Sequence, residues 1–183
     1  MGIVVTISGL HGTGKSTYAR ALAEEFGLRH ISAGMLFREI ASQKGLSLEE
    51  LSRLAEADPE IDRIIDERTK MEAKKGSVVI DGQLAGWMAK DQADIKIFLT
   101  APDRVRIERL ARRDNVNYQE AERQTRLREE IEWKRYRKFY DVDIRDTSIY
   151  DLVFNTALLP IESSIKVLKE VVREYITYNL RGR

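Results

Sequence analysis

Residues 9–16 read Gly9-Leu10-His11-Gly12-Thr13-Gly14-Lys15-Ser16, with Thr17 next. Glycine, lysine and hydroxyl stand at the spacing of a polyphosphate cradle, G-x-x-x-x-G-K-[ST]. Glycine tolerates positive φ, so the backbone can curl until successive N–H groups point inward at one anion. A helix that begins where the loop ends adds its positive pole to the same place. Lys15 is positioned to reach the β- and γ-phosphates of ATP, and the Ser16 hydroxyl to ligate Mg²⁺. The cradle runs from Gly9 to Thr17; His11 sits where the pattern admits any residue, so only its backbone is expected to matter.

Other residues could complete such a site. Asp81 ends the apolar run Val78-Val79-Ile80, and a parallel strand delivers its last side chain to the ligand edge of a sheet, where a carboxylate can orient Mg²⁺. Arg128, Glu132 and Arg135 are spaced i, i+4, i+7 and project from one helical face. Arg112 and Arg113, beside Arg109, are candidates for a lid that excludes water and neutralises charge on a transferred phosphoryl group. Arg126, Lys134 and Arg137 lie in the same segment. His30 is expected to pack; Trp87, Trp133, Tyr136 and Tyr140 are expected in core or lid packing rather than as walls of a base pocket.

The elements that would hold these residues alternate. Met1 to Ser8 opens on a mostly apolar, β-branched run, with Ile3–Ser8 as a buried strand, and Gly14–Phe26 has helical spacing that stops at Gly27. A short strand at His30-Ile31 leads to a helix over 33–44, stopped by Gly45. Ser47 and Glu50 form a capping box for a helix through 57, and Asp58-Pro59 starts another that ends at Gly76. The strand Val78–Asp81 and a short loop precede a strand at Ile95–Thr100. A helix over 103–113, a long charged helix over about 117–138, the strand Leu152–Phe154 and an amphipathic helix over about 160–180 complete the chain. Strands alternating with helices predict a parallel sheet covered on both faces.

Composition bounds the alternatives. The chain has 183 residues, is 43% hydrophobic and 33% charged, and carries a formal net charge of +1. These values predict one globular domain over 1–183, of α/β class by the alternation above, and the near-neutral charge argues against a general nucleic-acid or membrane-surface binder. No cysteine and only two histidines exclude thiolate and histidine-rich metal sites. No run approaches the ~20 apolar residues of a membrane span and the start lacks a signal-peptide pattern, so a cytoplasmic monomer with no stable nucleic-acid partner is expected.

Several segments resemble one family. Ser32-Ala33-Gly34-Met35-Leu36-Phe37-Arg38 is similar to the T-G-x-[LM]-x-R signature of nucleoside monophosphate kinases, matching at Ser32, Gly34 and Arg38. The resemblance implies that Arg38 holds the acceptor's phosphate, a task suited to a planar guanidinium fork. Met35 stands where adenylate kinases have aspartate and looks like the apolar residue of cytidylate kinases. Asp81-Gly82-Gln83 resembles the D-G-R of bacterial cytidylate kinases, with Gln83 replacing the arginine by an uncharged group. Arg128, Glu132 and Arg135 resemble the family's R-D-x-x-D-x-x-R, which implies arginines on phosphate and a carboxylate, one methylene longer here, facing the cytidine. Asp146-Thr147-Ser148 is similar to the D-T-[ST] before the last strand. The closest overall likeness is to archaeal-type cytidylate kinases. It implies a three-layer P-loop fold with a five-stranded parallel sheet in order 2-3-1-4-5, acceptor-binding helices over about 33–76 and an arginine-rich lid over about 112–138. The implied catalytic residues are Lys15, Arg128, Arg135 and Arg112, and the implied reaction is ATP plus CMP or dCMP to ADP and the diphosphate, with Mg²⁺. Two rivals stand beside it: a kinase for AMP, UMP, shikimate or another small acceptor, and a P-loop ATPase that switches RNA or ribosome assembly.

Overall fold

The computed structural model describes residues 2–181, so the start of the first apolar run at Met1 lies outside the described residues. Strand β1 (Val4–Gly9) is wholly buried, as expected of an apolar, β-branched run flanked on both sides and both faces. It pairs in parallel with β3 (Val78–Asp81) and β4 (Ile95–Thr100); β2 (Arg29–Ser32) and β5 (Leu152–Asn155) take the edges, giving the order β2-β3-β1-β4-β5. Register is what matters for the site. Ile7 pairs with Asp81, Ser32 pairs with Asp81, and Gly9 pairs with Leu99, so the ends of β1, β2 and β3 converge at one edge.

Helices α1 (Lys15–Phe26) and α8 (Ile161–Arg181) cover one face. Val5, Ile7, Leu22, Ile97, Leu99, Leu168 and Val172 form the core between. On the other face Val4, Val78 and Ile80 pack against Ala73, Ala85 and Ala89. Ala73 belongs to α4 (Glu60–Lys75), and Ala85 to α5 (Ala85–Met88), a single turn where the sequence suggested only a loop. Four residues are too few to show a helical period, so this turn exists because its alanines and Gly86 fit against the sheet and the Tyr150 ring.

Helices α2 (Ala33–Lys44), α3 (Leu48–Ala57) and α4 enclose a separate apolar cluster of Phe37, Ala41, Leu51, Ala55, Ile61 and Ile65. Their ends are set locally. Gly45 is left-handed at φ 66°, and the Ser47–Glu50 capping box is formed in both directions. Asp58 ends α3 through its backbone N–H and starts α4 by accepting from the Glu60 N–H at 3.0 Å. Helix α6 (Asp103–Asp114) ends at left-handed Asn115. Helix α7 (Tyr118–Tyr140), capped by Asn117, runs two residues past the expected end because Asp141, at φ 52°, supplies the stop that no glycine marks.

Candidate active site

The loop between β1 and α1 has the backbone its glycines predict. Gly9, Gly12 and Gly14 have φ of 140°, 77° and 90°. The space is also closed to a side chain: a Cβ on Gly9 would sit 2.3 Å from the Leu99 carbonyl oxygen, and one on Gly12 2.5 Å from that of Arg106. The Lys15 ammonium donates to the Gly9 and Leu10 carbonyls at 2.8 and 3.0 Å. Burial lowers its pKa from 10.5 to about 8, a shift that the carboxylates of Asp81, Glu132 and Glu129 only partly oppose.

Asp81 stands opposite, 1% exposed at the end of β3. Its Oδ1 accepts from the Ser16 and Ser32 hydroxyls at 3.0 and 3.1 Å, and its Oδ2 lies 2.7 Å from His30 Nε2. Ser32 also caps α2 by accepting from the Met35 N–H. Thus Ser32 and His30 orient the carboxylate that faces Ser16; His30, expected only to pack, has this additional contact.

Both halves open into one cleft of about 820 Å³. His11, Gly12, Gly14, Lys15, Ser16, Thr17, Gly34, Arg38, Asp81, Gln83, Arg128, Glu132 and Arg135 line it. Gly9, Leu10, Thr13 and Ser32 support it from behind: Thr13 donates to the Leu10 carbonyl at 2.8 Å, and Leu10 packs towards Trp87 and Trp133. Arg38 has no ion-pair partner among the described residues. Partial burial, then the guanidiniums of Arg113 and Arg128, lower its pKa against the pull of Asp81 and Asp114. Convergent guanidiniums facing a cleft form an anion site.

The i, i+4, i+7 face of α7 divides into unlike parts. Glu132 is buried and its Oε2 lies 2.7 Å from His11 Nε2 and 2.6 Å from the Gln83 amide nitrogen, while Arg128 approaches Oε1 at 3.7 Å. Burial would raise the Glu132 carboxyl, but His11, Arg128 and Arg135 outweigh it and bring it to about 2. Burial lowers His11. The expectation that only the His11 backbone matters is therefore corrected: its side chain joins the cradle to α7. Arg135 is 1% exposed, too deep for a mobile phosphate clamp, and lies 2.7 Å from Asp62 Oδ2 through its Nε.

Among the lid candidates, Arg109 and Arg113 line the cleft, and Arg112 does not. Arg109 and Arg113 are four residues apart and share a helical face, whereas Arg112 is turned about 100° from Arg113; Arg112 and Arg113 are both exposed, and Arg113 reaches the cleft margin while donating to Asp114 at 2.7 and 2.8 Å. Arg126, Lys134 and Arg137 pair with Glu122, Glu130 and Asp143 rather than reaching the cleft. Tyr136 lines the cleft; Trp87, Trp133 and Tyr140 pack beside it.

Four contributors were not anticipated. Arg106, 3% exposed, donates to the His11 carbonyl at 2.7 Å and to Glu129 Oε1 at 2.6 Å, bracing the cradle against α7. Thr156 donates to the Thr13 carbonyl at 3.1 Å and accepts from Arg109 at 2.9 Å. Asp62 and Asp66 bring two buried carboxyls to the cleft wall, and burial, opposed by Arg135, raises Asp62 to about 6. The Asp66 carboxylate accepts from the Tyr140 hydroxyl. Acids four apart on a helix look the same whether solvated or buried, so the sequence carried no signal for this pair; an arginine three residues into a helix, like Arg106, is equally silent.

Comparison with known proteins agrees with this arrangement. A family model described as the cytidylate kinase-like family matches residues 4–158. The chain is 49% identical to a cytidylate kinase of Staphylothermus marinus over 95% of this chain and 98% of that one. It is 47% identical to the cytidylate kinase of Pyrococcus horikoshii over 93% and 88%. Among solved structures, a shikimate kinase from Bacteroides thetaiotaomicron superposes with a TM-score of 0.63 at 19% identity, covering 93% of this chain and 98% of that one, a likeness of fold. With a phosphate cradle, a second cationic cluster across one cleft and relatives matched nearly end to end, the chain belongs to the cytidylate kinase-like family.

Proposed function

We propose that this protein transfers the γ-phosphoryl group of ATP to CMP or dCMP, giving ADP and the diphosphate. The observation that carries the reading is one cleft with two anion sites: the glycine cradle and Lys15 on one wall, and Arg38 with Arg113 and Arg128 on the other. Such an arrangement suits a donor and an acceptor that both carry phosphate; 49% and 47% identity to cytidylate kinases over 95% and 93% of the chain supports cytosine as the acceptor's base.

The backbone N–H groups of residues 12–17 and Lys15 bind the donor's phosphates. Arg38 binds and orients the acceptor's phosphate. No general base is required, because the attacking phosphate oxygen is already anionic; catalysis rests on positioning and charge neutralisation. Arg128 and Arg113 face the space between the two anions and offset the charge on the transferred group, and Arg109, held by Thr156, shapes the donor side. Glu132, fixed by His11 and Gln83, presents its carboxylate to the acceptor's sugar. The Ser16 hydroxyl and Asp81 carboxylate, 3.0 Å apart, are hard oxygen donors of the type Mg²⁺ takes, and they would hold it there. When bound, Mg²⁺ supplies further neutralisation of the phosphates. The chain acts as one kinase domain, and no helix of the described residues is long and apolar enough to cross a membrane.

Coupled ADP release with a panel of CMP, dCMP, UMP, AMP and shikimate tests the proposal. Fast turnover with CMP or dCMP is expected; preference for AMP or shikimate, or slow ATP hydrolysis indifferent to acceptor, refutes it.

A further inference from the structure

Between Gly9 and Gly12 the cradle has only two side chains by which the rest of the protein can hold it, those of Leu10 and His11. Leu10 packs towards Trp87 and Trp133. His11 is held at both ends. Its carbonyl accepts from Arg106 Nη1 at 2.7 Å, and Arg106 also donates to Glu129. Its side chain is 16% exposed, and Nε2 lies 2.7 Å from Glu132 Oε2. Glu129 and Glu132 stand three residues apart on α7, so one helix grips one cradle residue at two points.

The contacts decide where the hydrogen between ring and carboxylate sits. Glu132, brought to about 2, is ionised and can only accept. The Gln83 amide nitrogen lies 2.6 Å from the same Oε2 and 2.8 Å from His11 Nε2, so three polar atoms meet in one triangle. A bare Nε2 would set its lone pair against the carboxylate, and a Gln83 amide turned over would set its carbonyl oxygen there. Only an Nε2–H imidazole beside a Gln83 N–H gives Oε2 two donors and no opposing acceptor. Burial, with the charges of Arg128 and Lys15, lowers the His11 pKa against the pull of Glu132, which keeps that imidazole neutral.

The other oxygen of the same carboxylate faces Arg128, 3.7 Å away. His11, Glu132 and Arg128 thus connect the donor cradle to an arginine that borders the cleft. We infer that His11 is a positioning residue for phosphoryl transfer: through its Nε2–H it fixes α7, and with it Arg128, at a set distance from the cradle. This goes beyond the function proposed above and rests on it, and it gives His11 no contact with either substrate. Reactants held in line owe much of their rate to placement, and an error of about 1 Å can cost about 100-fold. Loosening this link therefore slows turnover rather than weakening binding. The G-x-x-x-x-G-K-[ST] pattern admits any residue at position 11, so the link comes from this chain's choice of histidine and not from the cradle's own chemistry.

Three measurements test the inference. In the unmodified protein, NMR of the imidazole nitrogens at about pH 7 is expected to show His11 with its hydrogen on Nε2; a ring bare at Nε2 overturns the inference without any variant having to fold. His11→Leu, which has no donor, is expected to lower kcat about 10- to 100-fold, while the Kd values for ATP and for CMP, by calorimetry, change less than about 3-fold. His11→Gln, whose amide N–H reaches about as far as Nε2, is expected to recover most of the rate. Unchanged turnover in His11→Leu, a loss confined to binding, or equal losses in the Leu and Gln variants overturns the inference, the last because it would mark a packing role. In a Glu132→Ala background the His11→Leu change is expected to cost little further kcat; a second full loss overturns the inference as well. A protein that phosphorylates no nucleoside monophosphate removes the function proposed above, whereas a working kinase indifferent to His11 removes only this inference.

Discussion

The buried ammonium of Lys15 should make the unliganded protein less stable than a variant that lacks it, over a defined pH window. Lysine is ordinarily protonated up to 10.5, and burial brings this group to about 8. Below pH 8 it is protonated folded and unfolded alike, and folding bears the full penalty of holding the charge out of water. Between pH 8 and 10.5 the unfolded chain binds more protons than the folded one, so stability rises with pH through this group. A shift from 10.5 to about 8 corresponds to a ceiling of about 3 kcal/mol. The cleft is open and Lys15 keeps part of its surface in solvent, so water screens part of the penalty and the expected pH-dependent part is about 1–2 kcal/mol. Lys15→Met keeps the length and removes the charge. It also removes hydrogen bonds to the Gly9 and Leu10 carbonyls, but that cost is nearly constant with pH and shifts the whole curve rather than its slope. Guanidinium unfolding of both proteins from pH 7 to 10.5, followed by circular dichroism, supplies the two curves. The difference, variant minus wild type, is expected to be largest below pH 8 and to decline as the pH approaches 10.5. Parallel curves would show that the ammonium is not held desolvated; a wild-type curve that falls relative to the variant would show that carboxylate pairing, not burial, governs it. Such a penalty belongs to a site prepared for a polyanion, which on binding repays it by matching the charge.

Glu132→Gln should flatten the acid limb of stability. The folded carboxyl titrates near 2 against an ordinary 4.5, so its contribution is complete above pH 4.5 and fades as the pH falls towards 2, with a ceiling of about 3 kcal/mol; acid titrations of both proteins that superimpose would refute this. Gly12→Ala places a Cβ 2.5 Å from the Arg106 carbonyl oxygen at a backbone φ of 77°, and is expected to cost about 1–3 kcal/mol by denaturant unfolding and to weaken ATP binding measured by calorimetry. Arg38→Ala should raise the KM for the acceptor about 10- to 100-fold with little change in the KM for ATP, since a charge-assisted hydrogen bond to phosphate contributes about 1.5–3 kcal/mol; equal effects on both substrates in steady-state assays would count against a separate acceptor site.

The corrections share a cause. Sequence spacing places residues on a local face but does not say what that face meets. Arg128, Glu132 and Arg135 do share one side of α7, yet over that stretch the surroundings change from cleft edge to protein interior, so Arg135 is buried against Asp62 while Arg128 still borders solvent. His11 was legible as a loop residue and illegible as a partner, because Glu132 lies 121 residues away. Arg112 and Arg113 are adjacent in sequence and both exposed, yet a rotation about the helix axis puts only Arg113, paired with Asp114, at the margin of the cleft.

What the chain alone determined was whatever depends on neighbours a few residues apart: the curl of the Gly9–Thr17 loop, the αL glycines and the capping box that end and start helices, and the burial of runs such as Val78–Ile80. These are set by backbone sterics and local hydrogen bonds. Tertiary structure decided everything that depends on partners brought from afar. It placed His30 and Ser32 on Asp81, Arg106 behind the cradle, and Asp62 beside Arg135. A side chain's charge state and orientation follow from the dielectric and the groups around it, and those become defined only when the sheet and its helices close.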